Sequence, residues 1–145
     1  MRLYRGLKNP YRSERVDTSR PGSGTDFTDC PAIALLYADG ARGVLLVVDI
    51  DPNEPLETAK VTKELWMVRN AKRFMIWGRF DEFLTATFPA KDLRAQLRRV
   101  GLRNARDEDK AVALRGFIAR ELRDREFRAA CASRTDSAAG AITCG

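Results

Sequence analysis

The sequence contains no histidine. Histidine is the side chain that most often serves as a general base and as a metal ligand near neutral pH. The three cysteines, Cys30, Cys131 and Cys144, lie far apart along the chain. A zinc site and a disulfide framework are therefore both disfavoured, and we expect reduced thiols and no bound metal. An enzyme of this composition has to rely on carboxylates and on the substrate itself.

Long apolar runs are also missing. No stretch approaches the roughly 20 apolar residues that span a bilayer. The segment MRLYRGLKNPYRSER at the start of the sequence has no apolar core of the kind found in secretory signal peptides. We therefore expect no membrane association, and a protein that is cytoplasmic or is delivered into a host or target cell without a classical signal peptide.

Acidic residues are outnumbered by basic ones. The chain of 145 residues carries a net charge of +6, and its length fits one domain with a modest core. The excess of positive charge favours an acidic partner such as a nucleic acid, a phosphorylated cofactor or an acidic protein surface. Aromatic residues make up only 8% and do not cluster on one strand, which disfavours an RNA-binding surface that works by stacking.

Hydrophobic periodicity predicts an α+β core. Alternation or continuous apolar character predicts strands at Arg2–Leu7, Gly43–Asp51, Arg73–Gly78 and Glu82–Phe88. A helix is expected from Pro31 to about Ala38, capped by Asp29 or Thr28. Three segments stay ambiguous. Residues Leu56–Val61 have no clear pattern, Lys63–Val68 fits a strand or a helix, and Lys91–Val100 fits a helix or a terminal strand.

The C-terminal part of the chain has a different character. Residues Asp107–Ala132 are dense in charge and have apolar residues at helical spacing, namely Ala111, Leu114, Ile118, Leu122 and Phe127. This pattern predicts one amphipathic helix beginning near Asp107. From Ser133 the composition becomes rich in Ser, Ala, Gly and Thr, which predicts disorder. The expected organisation is a core at 1–101, a basic helical extension at 102–132 and a disordered tail at 133–145.

Three short segments of the core resemble motifs of the ADP-ribosyltransferase superfamily, both in their residues and in their order along the chain. The first is YRGL on the first strand, the second is GTDFTD followed by AIALLYA, and the third is FDEFLTA. The arginine before the glycine is similar to the toxin branch with an Arg–Ser–Glu triad. The helix tyrosine and the Glu-aromatic-aliphatic strand start resemble the poly-ADP-ribose polymerase branch. The resemblance covers residues 3–101 and implies a split β-sheet core with a few short helices.

The resemblance also implies a set of site residues. Glu82 and Arg5 would be catalytic: the carboxylate would stabilise an oxocarbenium-like transition state, and the guanidinium would face the ribose or the phosphates of NAD. Tyr37 would stack on the nicotinamide ring, and the backbone of Gly6 would bind its carboxamide. The remaining residues of the implied NAD pocket are Tyr4, Gly24, Thr25, Asp26 and Phe27, with residues 22–24 and Phe27 at its rim.

This chain departs from the family pattern at several positions. In the segment GTDFTD, which corresponds to a turn in the family, Asp26 replaces the usual Tyr or Ser. Its role in the pocket is therefore unknown. Ala34 replaces the small hydroxyl residue common in the helix. Two residues before Glu82 the chain has Phe80, where arginine-modifying and asparagine-modifying toxins keep Glu or Gln, so modification of protein arginines is not expected.

The function implied is a small mono-ADP-ribosyltransferase of bacterial or phage type, like a toxin or an effector. It would use NAD as co-substrate, release nicotinamide and modify an unidentified protein or nucleic acid, and a toxin would have a neutralising partner. Two alternatives stay open. The same site would serve an NAD glycohydrolase, and a basic nucleic-acid-binding module without catalysis would explain the charge.

Overall fold

The computed structural model describes residues 1–10, 24–51, 59–64, 71–77 and 80–137. Within them lies one six-stranded sheet in the order β4-β5-β2-β1-β3-β6. Its strands are β1 (Arg2–Leu7), β2 (Gly24–Thr28), β3 (Val44–Asp49), β4 (Ala59–Glu64), β5 (Lys72–Trp77) and β6 (Leu84–Pro89). The helices are α1 (Pro31–Leu36), α2 (Ala90–Arg99) and α3 (Asp107–Ser137), and a 3-10 turn covers Asp81–Phe83. Every strand pairing is antiparallel, so the α+β expectation is confirmed.

The strands predicted from alternation and continuous apolar character are all present, as β1, β3, β5 and β6. The family resemblance implies a turn at GTDFTD, but Gly24–Thr28 forms strand β2 and pairs with β5. Of the ambiguous segments, 91–99 is helical and 59–64 is strand β4. Residues 56–58 and 65–68 lie outside the described residues, as do residues 22 and 23 of the expected pocket rim.

One face of the sheet carries the main apolar core. Its buried side chains come from alternate positions of four strands and from the segment before β6, and they are Leu3, Phe27, Leu46, Val48, Ile50, Phe74, Ile76 and Phe80. Phe80 packs edge-on against Phe27, with ring centroids 5.3 Å apart and planes at 66°, a favourable geometry for aromatic pairs. Strand β3 is buried from Val44 to Val48, as its uninterrupted apolar sequence predicts.

Helix α1 covers the opposite face at two glycines. A Cβ built on Gly6 would lie 1.8 Å from the carbonyl oxygen of Ala34, and one on Gly43 would lie 2.1 Å from that of Ala38. Neither position has room for a side chain, so the two glycines allow the helix backbone to lie directly on β1 and on the start of β3. Gly6 is therefore required by helix packing as well as by any ligand that approaches it.

Internal contacts divide the chain into two units, Met1–Leu114 and Arg115–Gly145, with the boundary inside α3. In the second unit Ile118, Leu122 and Cys131 are buried, whereas Phe127 is 61% exposed, so its expected place on the apolar face is wrong. The helix begins at Asp107, as expected, but it continues to Ser137, so the disorder expected from Ser133 is wrong for residues 133–137. Residues 138–145 lie outside the described residues.

The cysteines differ from one another. Cys131 is disulfide-bonded, so the expectation of reduced thiols is wrong there. Cys30 keeps a buried thiol. Among the described residues, none of the helices is both long enough and apolar enough to cross a membrane.

Candidate functional site

The pairing of β1 with β2 stops after a single residue pair. Tyr4 pairs with Thr28, whereas β1 pairs with β3 along its whole length and β2 pairs with β5 along its whole length. Beyond Tyr4 and Thr28 the two central strands therefore separate, and a gap opens in the middle of the sheet at Gly6 and Asp26.

The gap leaves the backbone of Gly6 without a ladder partner in β2. Met1 and Ile50 exchange backbone hydrogen bonds, so odd-numbered residues of β1 direct their N–H and C=O groups towards β3. Because these directions alternate along an antiparallel strand, those of Tyr4 and Gly6 face β2. Tyr4 meets Thr28 there, but Gly6 forms no such pair. Its N–H and C=O therefore face the gap.

Arg5 spans this gap. Its NH1 donates a hydrogen bond of 2.9 Å to the backbone carbonyl of Asp26, the group that the N–H of Gly6 would reach if the ladder continued. Burial lowers the pKa of the Arg5 guanidinium, and the negative charge of Asp26 partly opposes this by raising it. The side chain thus holds positive charge in a partly desolvated position between the strands, where it interacts strongly with an anion.

Helix α1 forms the wall beside the gap. Cys30 is its N-cap residue without a side-chain cap, and Pro31 follows in the first turn, so the expected cap by Asp29 or Thr28 is wrong. Thr28 Oγ1 instead accepts from the N–H of Cys30 at 3.2 Å, and Asp29 Oδ1 accepts from the N–H of Lys72 at 2.8 Å. These two bonds tie the start of α1 to β2 and β5.

The other end of α1 is held by Arg94 of α2. One of its nitrogens donates to the carbonyls of Leu35 and Ala38, at 3.1 Å and 2.8 Å. The Ala38 carbonyl lies beyond the last residue of α1, whereas the Leu35 carbonyl also accepts from the N–H of Ala38, at 3.1 Å. The C-cap residue between them is Tyr37, whose side chain is 60% exposed, so its ring is available to a ligand.

These elements surround a cleft of about 290 Å³, which we call the site cleft. Its walls are Tyr4 to Gly6 of β1, Asp26 to Thr28 of β2, Arg73 of β5, and three residues of the α1 region, Ile33, Ala34 and Tyr37. Six of the nine expected site residues meet here, namely Tyr4, Arg5, Gly6, Asp26, Phe27 and Tyr37. Phe27 is only 2% exposed, so it forms the floor of the cleft and not its rim.

Asp26 and Arg73 carry the other charges of the site cleft. Arg73 Nε lies 3.6 Å from Asp26 Oδ1, and the two side chains are 41% and 46% exposed. Oδ1 is itself buried and accepts no hydrogen bond from the part of the chain that the structure describes, because 3.6 Å is too long for one. The site cleft thus holds one carboxylate between two guanidinium groups.

The structure does not bring Glu82 into the site cleft. Glu82 is exposed in the 3-10 turn that precedes β6, and β3 lies between β6 and β1. Thr25, which pairs with Ile76, is not among the residues that line the cleft either. Gly24 is the first residue of β2 and pairs with Trp77.

Sequence reasoning missed Arg73 and Ile33, which line the site cleft. Nothing in the local sequence KRFMIW marks Arg73 as a site residue, because its place depends on the pairing of β5 with β2. Ile33 lies four residues before Tyr37 on the helix, so the helical period alone could have placed the two on one face.

Comparison of the chain with protein-family models, with curated proteins and with solved structures gave no match. Within the described residues, no group of three or more His, Cys, Asp or Glu side chains is placed to hold a metal ion.

Proposed function

We propose that the site cleft binds NAD and that the protein is an ADP-ribosyltransferase with a split β-sheet. The observation that carries the proposal is the gap between β1 and β2, which leaves the N–H and C=O of Gly6 facing a cleft with an exposed tyrosine and two arginines. A nicotinamide carboxamide needs one acceptor and one donor on the protein, and a backbone residue offers both.

The other walls suit the rest of NAD. The ring of Tyr37 offers a face on which a cationic nicotinamide can stack. Arg5 and Arg73 stand on different strands of the site cleft, and guanidinium groups bind phosphate oxygens in a bidentate manner. A diphosphate held by both would fix the dinucleotide with its nicotinamide end towards Gly6.

The reaction breaks the bond between the ribose C1′ and the nicotinamide nitrogen. The bonding electron pair leaves with nicotinamide, which becomes neutral, and C1′ develops positive charge as in glycoside hydrolysis. A nucleophilic oxygen or nitrogen of the acceptor then bonds to C1′ and gives up its proton. A carboxylate near C1′ stabilises the charge and accepts that proton.

Asp26 is the carboxylate that the site cleft offers for this role. The Asp26 side chain is 46% exposed, so its carboxylate can reach a ribose hydroxyl. The motif resemblance assigns the role to Glu82 instead, which lies outside the cleft. The two assignments of the catalytic carboxylate predict opposite results in mutagenesis.

The test is release of nicotinamide from NAD by the full chain, measured by chromatography beside Asp26→Asn and Glu82→Gln. Loss of a group that stabilises transition-state charge lowers the rate by about 100-fold or more. We expect that loss for Asp26→Asn and little change for Glu82→Gln. The reverse result would return the catalytic role to Glu82. Free ADP-ribose as product identifies a glycohydrolase, and a mass increase on a lysate component identifies a transferase.

One observation favours a second function, a nucleotide-binding module without catalysis. The site cleft contains two arginines but not Glu82, so it can hold phosphates without cleaving NAD. Calorimetric binding of NAD without nicotinamide release, even with lysate added, would support this module. Absence of both binding and release would remove NAD from consideration.

A further inference from the structure

A second cleft lies on the other side of α1. It has a volume of about 310 Å³, and its polar lining consists of Arg94, Arg98, Arg103, Lys110 and one acidic residue, Asp107. We call it the basic cleft. Ala32, Leu35 and Leu36 form its wall on the α1 side, whereas Ile33, Ala34 and Tyr37 face the site cleft. One short helix therefore separates the two clefts.

Four basic side chains and one carboxylate line the basic cleft. Among the described residues, no carboxylate forms an ion pair with Arg98, Arg103 or Lys110. Elsewhere the molecule pairs its arginines, for example Arg2 with Asp49 and Arg125 with Glu121. Three unpaired cations around one concave surface create a positive potential that attracts an anion.

The cleft also has an apolar part. Leu36 is 51% exposed, and it lines the basic cleft together with Leu35 and Leu97. A ligand that combines negative charge with flat apolar surface matches this lining. Single-stranded nucleic acid has this combination, because phosphates alternate with bases whose faces pack on apolar and aromatic side chains.

We propose that the basic cleft binds single-stranded nucleic acid, with its phosphates on Arg98, Arg103 and Lys110 and a base on Leu36. This proposal does not depend on NAD cleavage in the site cleft. Because a helix is about 10 Å wide, a strand lying in the basic cleft would pass close to Tyr37 and the site cleft.

The experiment measures binding of the full chain to fluorescein-labelled oligo(U) RNA and oligo(dT) DNA of about 15 nucleotides, by fluorescence anisotropy over a series of salt concentrations. The test variant is Arg98→Glu with Arg103→Glu. The matched control is Arg120→Glu with Arg123→Glu, two exposed residues of α3. Both variants change the net charge equally, so they separate a defined site from general positive charge.

We expect the test variant to weaken binding at least about tenfold, and the control less than about threefold. If two phosphate contacts are lost, the slope of log K against log salt falls by about 1.4 for a single strand. Tighter binding of RNA than DNA, or the reverse, supports the proposal equally and identifies the preferred sugar.

Equal weakening by both variants would overturn the proposal, as would absence of salt-dependent binding. Competition by polyglutamate as effective as by unlabelled oligonucleotide would assign the cleft to an acidic protein instead. Circular dichroism verifies folding, and Arg98→Gln with Arg103→Gln replaces the test variant if the glutamates prevent folding. Arg94 is left unchanged because it holds the end of α1.

Discussion

The guanidinium of Arg5 donates a 2.9 Å hydrogen bond to the backbone carbonyl of Asp26, across the gap between the two central strands. The strands pair at Tyr4 and Thr28 and then separate, so this side chain takes the place of a ladder bond. The same contact keeps positive charge at the floor of the site cleft and satisfies a carbonyl that would otherwise be left without a donor.

Replacement of this arginine by lysine tests both consequences. In Arg5→Lys the charge is kept, but the planar fork that reaches the carbonyl is lost. We expect nicotinamide release to fall at least about tenfold, and the free energy of unfolding to fall by about 1–3 kcal/mol because a buried acceptor loses its donor. Arg42→Lys, at an exposed position, is the control. An Arg5→Lys protein with unchanged stability would contradict the role of this contact.

Gly6→Ala tests the packing of α1 on β1. The added Cβ would lie 1.8 Å from the carbonyl oxygen of Ala34, so the helix has to move, and overpacking of this kind costs about 1–3 kcal/mol. Gly116→Ala is the matched control, because nothing lies within 4 Å of its Cβ and alanine favours a helix by about 1 kcal/mol. Urea unfolding should therefore show a lower free energy of unfolding for Gly6→Ala and a higher one for Gly116→Ala. Equal stabilities would show that α1 does not lie against Gly6.

Tyr37→Ala tests the stacking surface. Tyr37 and Phe127 are 60% and 61% exposed, so truncation of either should change the free energy of unfolding little. We expect Tyr37→Ala to weaken NAD binding about tenfold, because a stacked aromatic ring contributes about 0.5–1.5 kcal/mol. Phe127→Ala should bind NAD normally, and Tyr37→Phe should restore the affinity. Equal affinities of all variants in calorimetry would remove Tyr37 from the binding site.

Asp49 predicts a pH dependence of stability. Burial raises the pKa of this carboxyl, but hydrogen bonds from Arg2 and Thr85 and the nearby positive charges outweigh burial and leave the pKa below its ordinary value. The stabilisation is therefore complete above the unfolded value of about 3.9 and is lost as the pH falls through the lower folded value.

Unfolding by urea at a series of pH values measures this dependence. The Asp49 side chain is 40% exposed, so we expect a contribution below about 1 kcal/mol. In Asp49→Asn the stability at neutral pH should fall by about this amount, and the decrease below pH 4 should become shallower. If the decrease in the free energy of unfolding below pH 4 is the same in Asp49→Asn, Asp49 has the same affinity for protons in the folded and unfolded states.

Arg94→Ala tests the support of α1 by α2. The change removes the side-chain donor of the Ala38 carbonyl and one of the two donors of the Leu35 carbonyl, which should cost about 1–3 kcal/mol. It should also raise the KM for NAD, because Tyr37 lies between these carbonyls. Arg99→Ala is the control, since within the described residues Arg99 bonds only the side chain of Gln96, at 3.4 Å. If Arg94→Ala has the same KM for NAD as the native chain, Arg94 does not influence the site cleft.

Local patterns were sufficient for much of the fold. Strand β3 is apolar on both faces, and its burial follows from that pattern. Alternation over RLYRGL predicts β1 as a strand but not its burial, since the neighbouring residues Leu3 and Tyr4 are both buried. Helix α3 follows from apolar residues at helical spacing. The segment GTDFT contains glycine, aspartate and threonines that are typical of a turn, and only its pairing with β5 makes it a strand. Phe127 lies five residues after Leu122, about 140° further around the helix, so it leaves the apolar face and is exposed.

The sequence by itself determined which residue types are available for chemistry, since it has no histidine and an excess of positive charge. The resemblance of YRG, GTDFTD and AIALLYA to the ADP-ribosyltransferase pattern implied that these segments share one pocket, and Tyr4, Arg5, Gly6, Phe27 and Tyr37 line the site cleft. Only the tertiary structure decided which charged groups join them. Arg73 enters the site cleft and Glu82 does not, because the order of strands in a sheet depends on pairing between segments far apart in the chain, and no local pattern encodes that order.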